Sequence, residues 1–227
     1  MFNNQKVGAV IAAAGKSERL GEDKMFALLA GKPVLERTLA VFEASPLVDE
    51  IVIVLGEHNM DKGRQLANKA GWKKVSAICP GGARRQDSVA AGLKDMKDCQ
   101  WVVIHDGARP LVTTKLIADG LEAALGSGAA ACAVPLRDTI KMAGEDGFVI
   151  GTPPREKLWA VQTPQVFTSD IINEAYGKAD YDATDDAALV ERAGGRVKLG
   201  GGSYENIKIT TPEDLALAGL LGCKREG

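Results

Sequence analysis

The stretch "VGAVIAAAGKSERLGEDK", residues 7–24, joins an apolar run to a small, positively charged loop. Residues 7–13 have the length and apolar content of a strand covered on both faces of a sheet. Ala13, Ala14 and Gly15 then allow backbone N–H groups to approach a ligand. Arg19 and Lys24 supply cations suited to phosphate. The stretch therefore predicts a central strand that ends in an anion-binding loop, although an ordinary solvated loop is the alternative.

Strand-like runs and amphipathic helices alternate along the rest of the chain. The further predicted strands are 50–55, 75–79, 101–105, 129–134 and 195–200. The predicted helices are 33–44, 59–70, 86–97, 113–125, 168–178, 185–193 and 212–220. Such alternation is typical of an α/β protein with a doubly wound, mainly parallel sheet of the Rossmann-like kind. We expect one domain that spans residues 1–227.

Residues 136–160 interrupt this alternation. The segments "DTIKMA" and "GFVIGT" flank "GEDG", which is a turn signal between two short strands. We interpret this region as a β-arm that projects from the domain. Because a projecting arm with apolar residues commonly needs a partner, the sequence predicts a homodimer formed through it.

Composition excludes several classes of function. The net charge of −2 and the isoelectric point near 5.8 argue against a broad basic surface for nucleic acid. No apolar run reaches the roughly 18 residues of a membrane span, and the N-terminus lacks a signal-peptide pattern. The 4 cysteines form no CxxC pair, and we expect reduced, buried thiols in a cytoplasmic protein.

Three more polar clusters follow predicted strands, where open α/β sheets bind ligands. Residues 80–89 contain Gly82 in a tight turn and Ser88, which can cap a helix or contact a base. Residues 102–110 end in Asp106, Gly107 and Arg109; Asp106 is suited to hold Mg²⁺ bound to a polyphosphate, or else caps a helix. Lys208 alternates with two isoleucines, so it is either a second phosphate clamp or a solvated residue.

Together these clusters describe a basic crevice that can bind Mg²⁺. The sequence offers no evident histidine base, cysteine nucleophile or Ser-His-Asp set. The GxGxxG and Walker A patterns are also absent. This profile favours transfer at phosphorus, where positioning and charge stabilisation supply most of the rate.

The chain resembles the 2-C-methyl-D-erythritol 4-phosphate cytidylyltransferase family, which has a nucleotide-diphospho-sugar transferase-like fold. The matching segments occur in family order over almost the whole chain: "AAAGKSERLGEDK", "GGARRQDSV", "HDGARP", "PLRDTIK", "TPPREKLWAVQTPQVF", "ATDDAALVE" and "NIKITTPEDL". The resemblance implies transfer of CMP from CTP to 2-C-methyl-D-erythritol 4-phosphate in the non-mevalonate isoprenoid pathway, with release of pyrophosphate and with Mg²⁺ or another divalent cation as cofactor.

The resemblance also implies roles for individual residues. Arg19, Lys24 and Lys208 would be the catalytic cations around the triphosphate, and Asp106 would lie near the metal. The nucleotide would contact Ala13, Ala14, Gly15, Gly82, Ser88, Asp106 and Gly107. The sugar phosphate would contact Arg109, Thr139, Arg155, Thr163 and Thr184, with Thr139 and Arg155 reaching the partner's site from the arm.

Two departures from the family pattern and two rival functions stay open. Ser17 stands where the family often has Gly, and Asp23 stands where it commonly has Pro. The nearest rival is a ribitol 5-phosphate cytidylyltransferase, which shares the fold and CTP. A remote alternative is a nucleotide-binding protein without catalysis.

Overall fold

A seven-stranded sheet forms the centre of the protein. The structure is a computed structural model that describes residues 1–15, 23–179 and 181–226. Numbered in chain order, its strands are β1 (Val7–Ala13), β2 (Leu28–Leu29), β3 (Lys32–Pro33), β4 (Glu50–Leu55), β5 (Val75–Pro80), β6 (Trp101–Asp106), β7 (Ala129–Pro135), β8 (Met142–Ala143), β9 (Val149–Gly151), β10 (Trp159–Thr168) and β11 (Lys198–Gly201).

The large sheet has the order β11-β7-β10-β6-β1-β4-β5, and β2-β3 and β8-β9 form two small separate sheets. Strands β6, β1, β4 and β5 pair in parallel, as do β11 and β7. Strand β10 pairs antiparallel with both of its neighbours, β6 and β7. The predicted mainly parallel sheet is confirmed, and its β1, β4 and β6 strands begin at the predicted residues.

Strand β10 was missed from the sequence, which assigned its first residues to the arm. Gln162, Thr163, Pro164 and Gln165 interrupt its apolar pattern, and proline is uncommon inside central strands. These residues are nevertheless buried, because their polar groups find partners in the fold. The Gln165 amide, for instance, donates to Asp185 at 2.9 Å and accepts from the backbone N–H of Ala187 at 2.9 Å.

Seven α-helices cover the sheet within the described residues. They are α1 (Val34–Ala44), α2 (Met60–Ala70), α3 (Arg85–Asp95), α4 (Thr114–Ala124), α5 (Ser169–Gly177), α6 (Asp186–Arg192) and α7 (Pro212–Glu226). Most lie within one or two residues of the predicted bounds. Helix α7 extends further than predicted, and strand β11 begins three residues later, at Lys198.

Alternating side chains of β1 bury into two different cores. Val7, Ala9 and Ile11 pack with α1, α2 and α4 on one face of the sheet. Val10 packs with α3, α5 and α6 on the other face. This arrangement explains why the strand is apolar throughout, since a strand covered on both faces buries every side chain.

The prediction that the cysteines are buried thiols is partly confirmed. All four cysteines are free; Cys79, Cys99 and Cys132 are buried, whereas Cys223 is exposed, so the prediction of burial is wrong for that residue. Among the described helices, none combines the length and the apolar character that crossing a membrane requires.

The predicted hairpin lies at β8 and β9. Its two short strands pair antiparallel around a turn at residues 144–148. Phe148, Val149 and Ile150 are 75%, 60% and 68% exposed in the single chain. A dimer contact made by these side chains stays a prediction.

Candidate active site

Two adjoining cavities open at the carboxyl ends of the central strands. The larger, of about 550 Å³, is lined by the residues that follow β1, β5 and β6. The smaller, of about 210 Å³, lies on the side of β10 and of the loop before α6. Arg85, Asp106 and Lys208 line both cavities, so these three side chains form the junction between them.

The larger cavity gathers most of the predicted nucleotide-binding residues and two predicted catalytic cations. The predicted residues that line it are Ala14, Gly15, Lys24, Gly82, Ser88, Asp106 and Lys208. They come from segments far apart in the sequence, which the parallel strands bring to one edge of the sheet. Its volume is in the range of pockets that hold small organic ligands.

A tight glycine turn forms one wall of the larger cavity. A Cβ atom at Gly81 would lie 2.3 Å from the Ala14 Cβ, and one at Gly82 would lie 2.3 Å from the Asp87 Cβ, so neither position has room for a side chain. The backbone N–H of Gly82 donates to the Ser88 Oγ at 3.2 Å. The Ser88 hydroxyl in turn donates to the carbonyl of Arg84 at 3.1 Å. The turn therefore brings backbone groups to the cavity surface.

The smaller cavity gathers three of the predicted substrate-binding residues, Arg109, Thr163 and Thr184. Arg109 is already engaged, because its Nη1 donates to the carbonyl of Asn206 at 2.7 Å and its Nε lies 3.4 Å from Asp106 Oδ2. Burial lowers the pKa of the Arg109 guanidinium, an effect that Asp106 opposes. Thr184 is exposed at the rim.

Asp106 is the carboxylate at the junction, and three cations surround it. Its oxygens lie 3.0 Å from Lys208 Nζ, 3.3 Å from Arg85 Nε and 3.4 Å from Arg109 Nε. Burial by itself would raise the pKa of Asp106, but the three cations outweigh it and hold the pKa well below its usual range. The lowered pKa means that Asp106 is an anion at neutral pH.

Lys208 reaches this junction from a segment without assigned secondary structure. Ile209 is fully buried and its N–H donates to the carbonyl of Ala108 at 2.8 Å, which holds the segment beside the end of β6. Ile207 and Ile209 pack into a small core with α7, while Lys208 lines the cavities. The predicted alternation is thus present, and a third of the Lys208 side chain stays exposed.

Arg85 is a site residue that the sequence analysis missed. It lies in the quoted "GGARRQDSV" segment, but two adjacent arginines gave no reason to prefer one. In the structure Arg84 borders the larger cavity but pairs with Asp87, whereas Arg85 reaches inward to Asp106 and to the buried Asp186. Burial would lower the pKa of Arg85, but Asp186 and Asp106 raise it, so the guanidinium stays charged.

A buried histidine supports the end of β6. The backbone N–H of Asp106 donates to the Thr163 Oγ1 at 3.0 Å, and the same hydroxyl lies 3.1 Å from His105 Nδ1. His105 Nε2 lies 3.3 Å from the carbonyl of Arg109. A neutral ring satisfies both contacts, with Nδ1 as acceptor and the Nε2–H as donor. Thr163 is also one of the predicted substrate ligands, so its hydroxyl has this structural role besides the predicted one.

The neutral His105 predicts an acid-sensitive fold. Burial lowers the pKa of His105 from 6.5 to about 3. Below pH 6.5 the unfolded chain therefore binds a proton at this histidine that the folded chain does not bind. The free energy of unfolding falls as the pH drops towards 3. Between pH 7 and pH 5 this group removes about 2 kcal/mol from the free energy of unfolding. Urea unfolding at pH 7 and at pH 5 should show that His105→Gln loses less of its free energy of unfolding between these two pH values than the wild type does.

The matched control for this experiment is His58→Gln, since His58 is the other histidine of the chain and is largely exposed. It should keep the acid sensitivity of the wild type. An equal loss of stability in His105→Gln and the wild type would contradict the assignment.

Four predicted site residues do not line either cavity in the described parts of the chain. Ala13 and Gly107 lie behind the wall, where the Gly107 N–H donates to the carbonyl of Ala12 at 2.9 Å. Thr139 and Arg155 are exposed on the arm segment, and the Arg155 Nη1 donates to the carbonyl of Arg137 at 2.7 Å. Arg19 lies outside the described residues, as do Lys16 and Ser17.

The side chains at the junction determine how a metal ion could be held there. Within the described ranges, no cluster of three or more His, Cys, Asp or Glu side chains is arranged to hold a metal ion. Mg²⁺, however, is commonly held by one or two carboxylates together with water and substrate phosphates. A single ionised carboxylate, Asp106, beside a basic cavity fits that mode of binding.

Comparison with known proteins shows to which family the chain belongs. The family model described as "IspD: 2-C-methyl-D-erythritol 4-phosphate cytidylyltransferase" matches residues 7–221. The chain belongs to this family. A 2-C-methyl-D-erythritol 4-phosphate cytidylyltransferase of Dehalococcoides mccartyi is 56% identical over 97% of this chain and 98% of its own length. One of Pelotomaculum thermopropionicum is 50% identical over 98% of this chain and 96% of its own length.

Solved structures of the family have the same fold. The 4-diphosphocytidyl-2C-methyl-D-erythritol synthase of Anaerococcus prevotii superposes with a TM-score of 0.85 at 30% identity and covers 95% of each chain. The 2-C-methyl-D-erythritol 4-phosphate cytidylyltransferase of Thermus thermophilus superposes with a TM-score of 0.77 at 35% identity, covering 96% of this chain and 99% of its own. As a member of the family, the chain is a cytidylyltransferase, a kind of nucleotidyltransferase, of isoprenoid biosynthesis.

Proposed function

We propose that the chain transfers CMP from CTP to 2-C-methyl-D-erythritol 4-phosphate and releases pyrophosphate. The observation that carries this proposal is the pair of cavities that meet at Asp106, Arg85 and Lys208, because it offers one space for a nucleotide and another for a sugar phosphate. The product, a cytidine diphosphate ester, contains both the α-phosphorus of CTP and the phosphate of the acceptor. An oxygen of the acceptor phosphate therefore forms the new bond to the α-phosphorus, and the bond to pyrophosphate breaks.

The main task of the protein in this step is to offset negative charge. The attacking phosphate and the triphosphate are both anions, so they repel each other unless cations lie between them and offset their charge. Lys208 and Arg85 lie where the two cavities meet, and Lys24 lines the nucleotide side. We infer that these cations, with Arg19, hold the reacting groups in line and stabilise the charge of the transition state.

The proposed nucleotide contacts involve the larger cavity. Ala14, Gly15, Gly82 and Ser88 border it, and the turn at Gly82 exposes backbone groups. Fixed backbone donors and acceptors distinguish cytosine from uracil, since the two bases reverse these groups on one edge. Ala13 and Gly107 support this wall from behind and would act through the backbone position they set.

A divalent cation, Mg²⁺ above all, is part of the proposal. Asp106 would hold it together with the nucleotide phosphates, and the bound ion would offset charge on those phosphates. Arg85, Arg109 and Lys208 now occupy the Asp106 oxygens, so their contacts must rearrange when Asp106 takes another ligand. The same cations keep Asp106 ionised, as a metal ligand needs to be.

The proposed sugar-phosphate site lies in the smaller cavity and extends to a second subunit. Arg109 there is committed to Asp106 and the Asn206 carbonyl, whereas a phosphomonoester needs a cation that is available to it. We infer that Arg155 of the partner subunit supplies this cation and that Thr139 of the partner subunit contacts the same ligand, both carried by the β-arm. The exposed apolar tip of the arm supports a dimer of this kind.

The proposal is tested by pyrophosphate release. Each of CTP, UTP, ATP and GTP is mixed with the enzyme, Mg²⁺ and 2-C-methyl-D-erythritol 4-phosphate, and then CTP is mixed with ribitol 5-phosphate instead. We expect rapid release with CTP and the methylerythritol substrate, and release lower by about 100-fold or more with the other bases, because a mismatched base leaves buried polar groups unpaired. EDTA should abolish release.

The alternatives give different results in the same assay. Preferential turnover of ribitol 5-phosphate would favour the ribitol enzyme. CTP binding without pyrophosphate release from any acceptor would favour a nucleotide-binding protein. The family membership of the chain and the retained cations of the junction support the first outcome.

A further inference from the structure

A buried acid behind the cavity wall has no part in the chemistry described so far. Asp186 is the first residue of helix α6, is fully buried, and does not appear among the described residues that line the two cavities. A charged carboxylate in such a place is costly unless it is paired. The Tyr176 hydroxyl donates to its Oδ1 at 2.6 Å, and Arg85 Nη2 lies 2.8 Å from its Oδ2. The Arg85 contact is an ion pair without the alignment of a hydrogen bond.

The needs of helix α6 do not explain this acid. Its neighbour Asp185 is the N-cap, and the Asp185 side chain accepts from the backbone N–H of Ala188. An acid in the first turn of a helix also gains from the helix dipole, but that gain is available at the surface. Asp186 instead faces inward to Arg85, a residue of another helix about 100 positions earlier in the chain.

Arg85 therefore lies between two carboxylates. Its Nε lies 3.3 Å from Asp106 Oδ1 on the cavity side, and its Nη2 contacts Asp186 on the buried side. A guanidinium is planar and presents its donors in a fixed fork, so carboxylates at two of its nitrogens set its orientation. Asp186 does not line either cavity, so a ligand that enters them does not have to displace this contact.

We propose that Asp186 is a positioning residue. Oriented by Tyr176, it holds Arg85 at the junction while the Asp106 carboxylate binds a divalent cation that also contacts the substrate phosphates. The inference deepens the proposed function and rests on it. Without the charge at 186, Asp106 would be the remaining carboxylate in contact with Arg85 among the described residues. Arg85 would then compete with the divalent cation for Asp106 and would move away from the phosphates.

The test is Asp186→Asn, which keeps the side-chain volume and an oxygen for the Tyr176 hydroxyl but removes the charge. We expect kcat to fall by roughly 10- to 100-fold, because small displacements of the groups that position the reactants lower the rate by this amount. The Mg²⁺ concentration for half-maximal activity should rise by about tenfold, a loss typical of groups one shell beyond a metal. In calorimetry, Mg²⁺ should strengthen CTP binding less in this variant than in the wild type. Tyr176→Phe, which loses one hydrogen bond, should shift the same quantities by about threefold.

Two comparisons separate positioning from plain destabilisation. Ile117→Val trims a fully buried side chain in the core on the other face of the sheet, so it should lower Tm without changing the Mg²⁺ dependence. In an Arg85→Gln background, Asp186→Asn should have almost no further effect on Mg²⁺ dependence, since the two residues act as a unit. If Asp186→Asn changes Tm alone, as Ile117→Val does, the inference is overturned. If the wild type releases no pyrophosphate, the proposed function fails instead.

Discussion

Lys208→Ala is expected to lower kcat by about 10²- to 10³-fold, the usual cost of removing one preorganised group that stabilises transition-state charge. Lys208 Nζ lies 3.0 Å from Asp106 at the junction of the two cavities, where the acceptor phosphate must approach the α-phosphorus. The fold should tolerate the change, because the lysine side chain is partly exposed and Asp106 keeps Arg85 and Arg109. Steady-state kinetics and thermal unfolding of the same preparation measure both effects.

Lys115→Ala is the matched control for this prediction. Lys115 forms an ion pair of similar length, 2.6 Å, with Asp119, but the pair lies on the exposed surface of helix α4. Its loss should leave kcat unchanged. A Lys208→Ala enzyme with near wild-type turnover would show that Lys208 serves the structure of the loop and has no part in the reaction.

The second large effect is expected from mixing two defective enzymes. Arg155→Ala removes the arm cation, and Lys208→Ala removes the junction cation, so each homodimer should be nearly inactive. If the arm of one subunit completes the site of the other, a mixed dimer has one site with both changes and one site with neither. After unfolding and refolding together at equal amounts, about a quarter of wild-type activity should return, since half of the dimers are mixed.

The control for the mixing experiment is each variant refolded alone, which should stay inactive. Size-exclusion chromatography of the wild type should give a dimer, and charge-tagged subunits allow the mixed species to be isolated. Activity in the mixture no higher than in the separate variants would mean that Arg155 acts in its own subunit or has no role in substrate binding. A monomeric wild type would overturn the arm model altogether.

The local signals of the sequence were sufficient for most of the fold. Apolar strand patterns placed β1, β4 and β6 correctly, and helix periodicity placed most of the helices within two residues. Strand β10 was missed because Gln162, Thr163 and Gln165 are polar and Pro164 disfavours a central strand. Their partners are distant in the sequence, so no local pattern contained the reason for their burial.

The candidate site was predictable to the extent that its residues follow strands or resemble family motifs. Ala14, Gly82, Asp106 and Lys208 were all named from the sequence, and they line the larger cavity. The roles proposed for them rest on that placement and on the family. Arg85 was missed, because its neighbour Arg84 has the same charge and the sequence does not say which of the two contacts Asp106.

The sequence by itself determined the alternation of strands and helices, the chemical character of the loops and the family, because these depend on local composition and on segments matched in order. The tertiary structure alone decided which charges meet. Arg85, Asp106 and Asp186 lie on three separate elements, and their ion pairs exist because the sheet and helix α6 bring those elements together. Coulomb interactions act through space over a few ångströms, so the separation of residues along the sequence does not show which charges are close enough to interact.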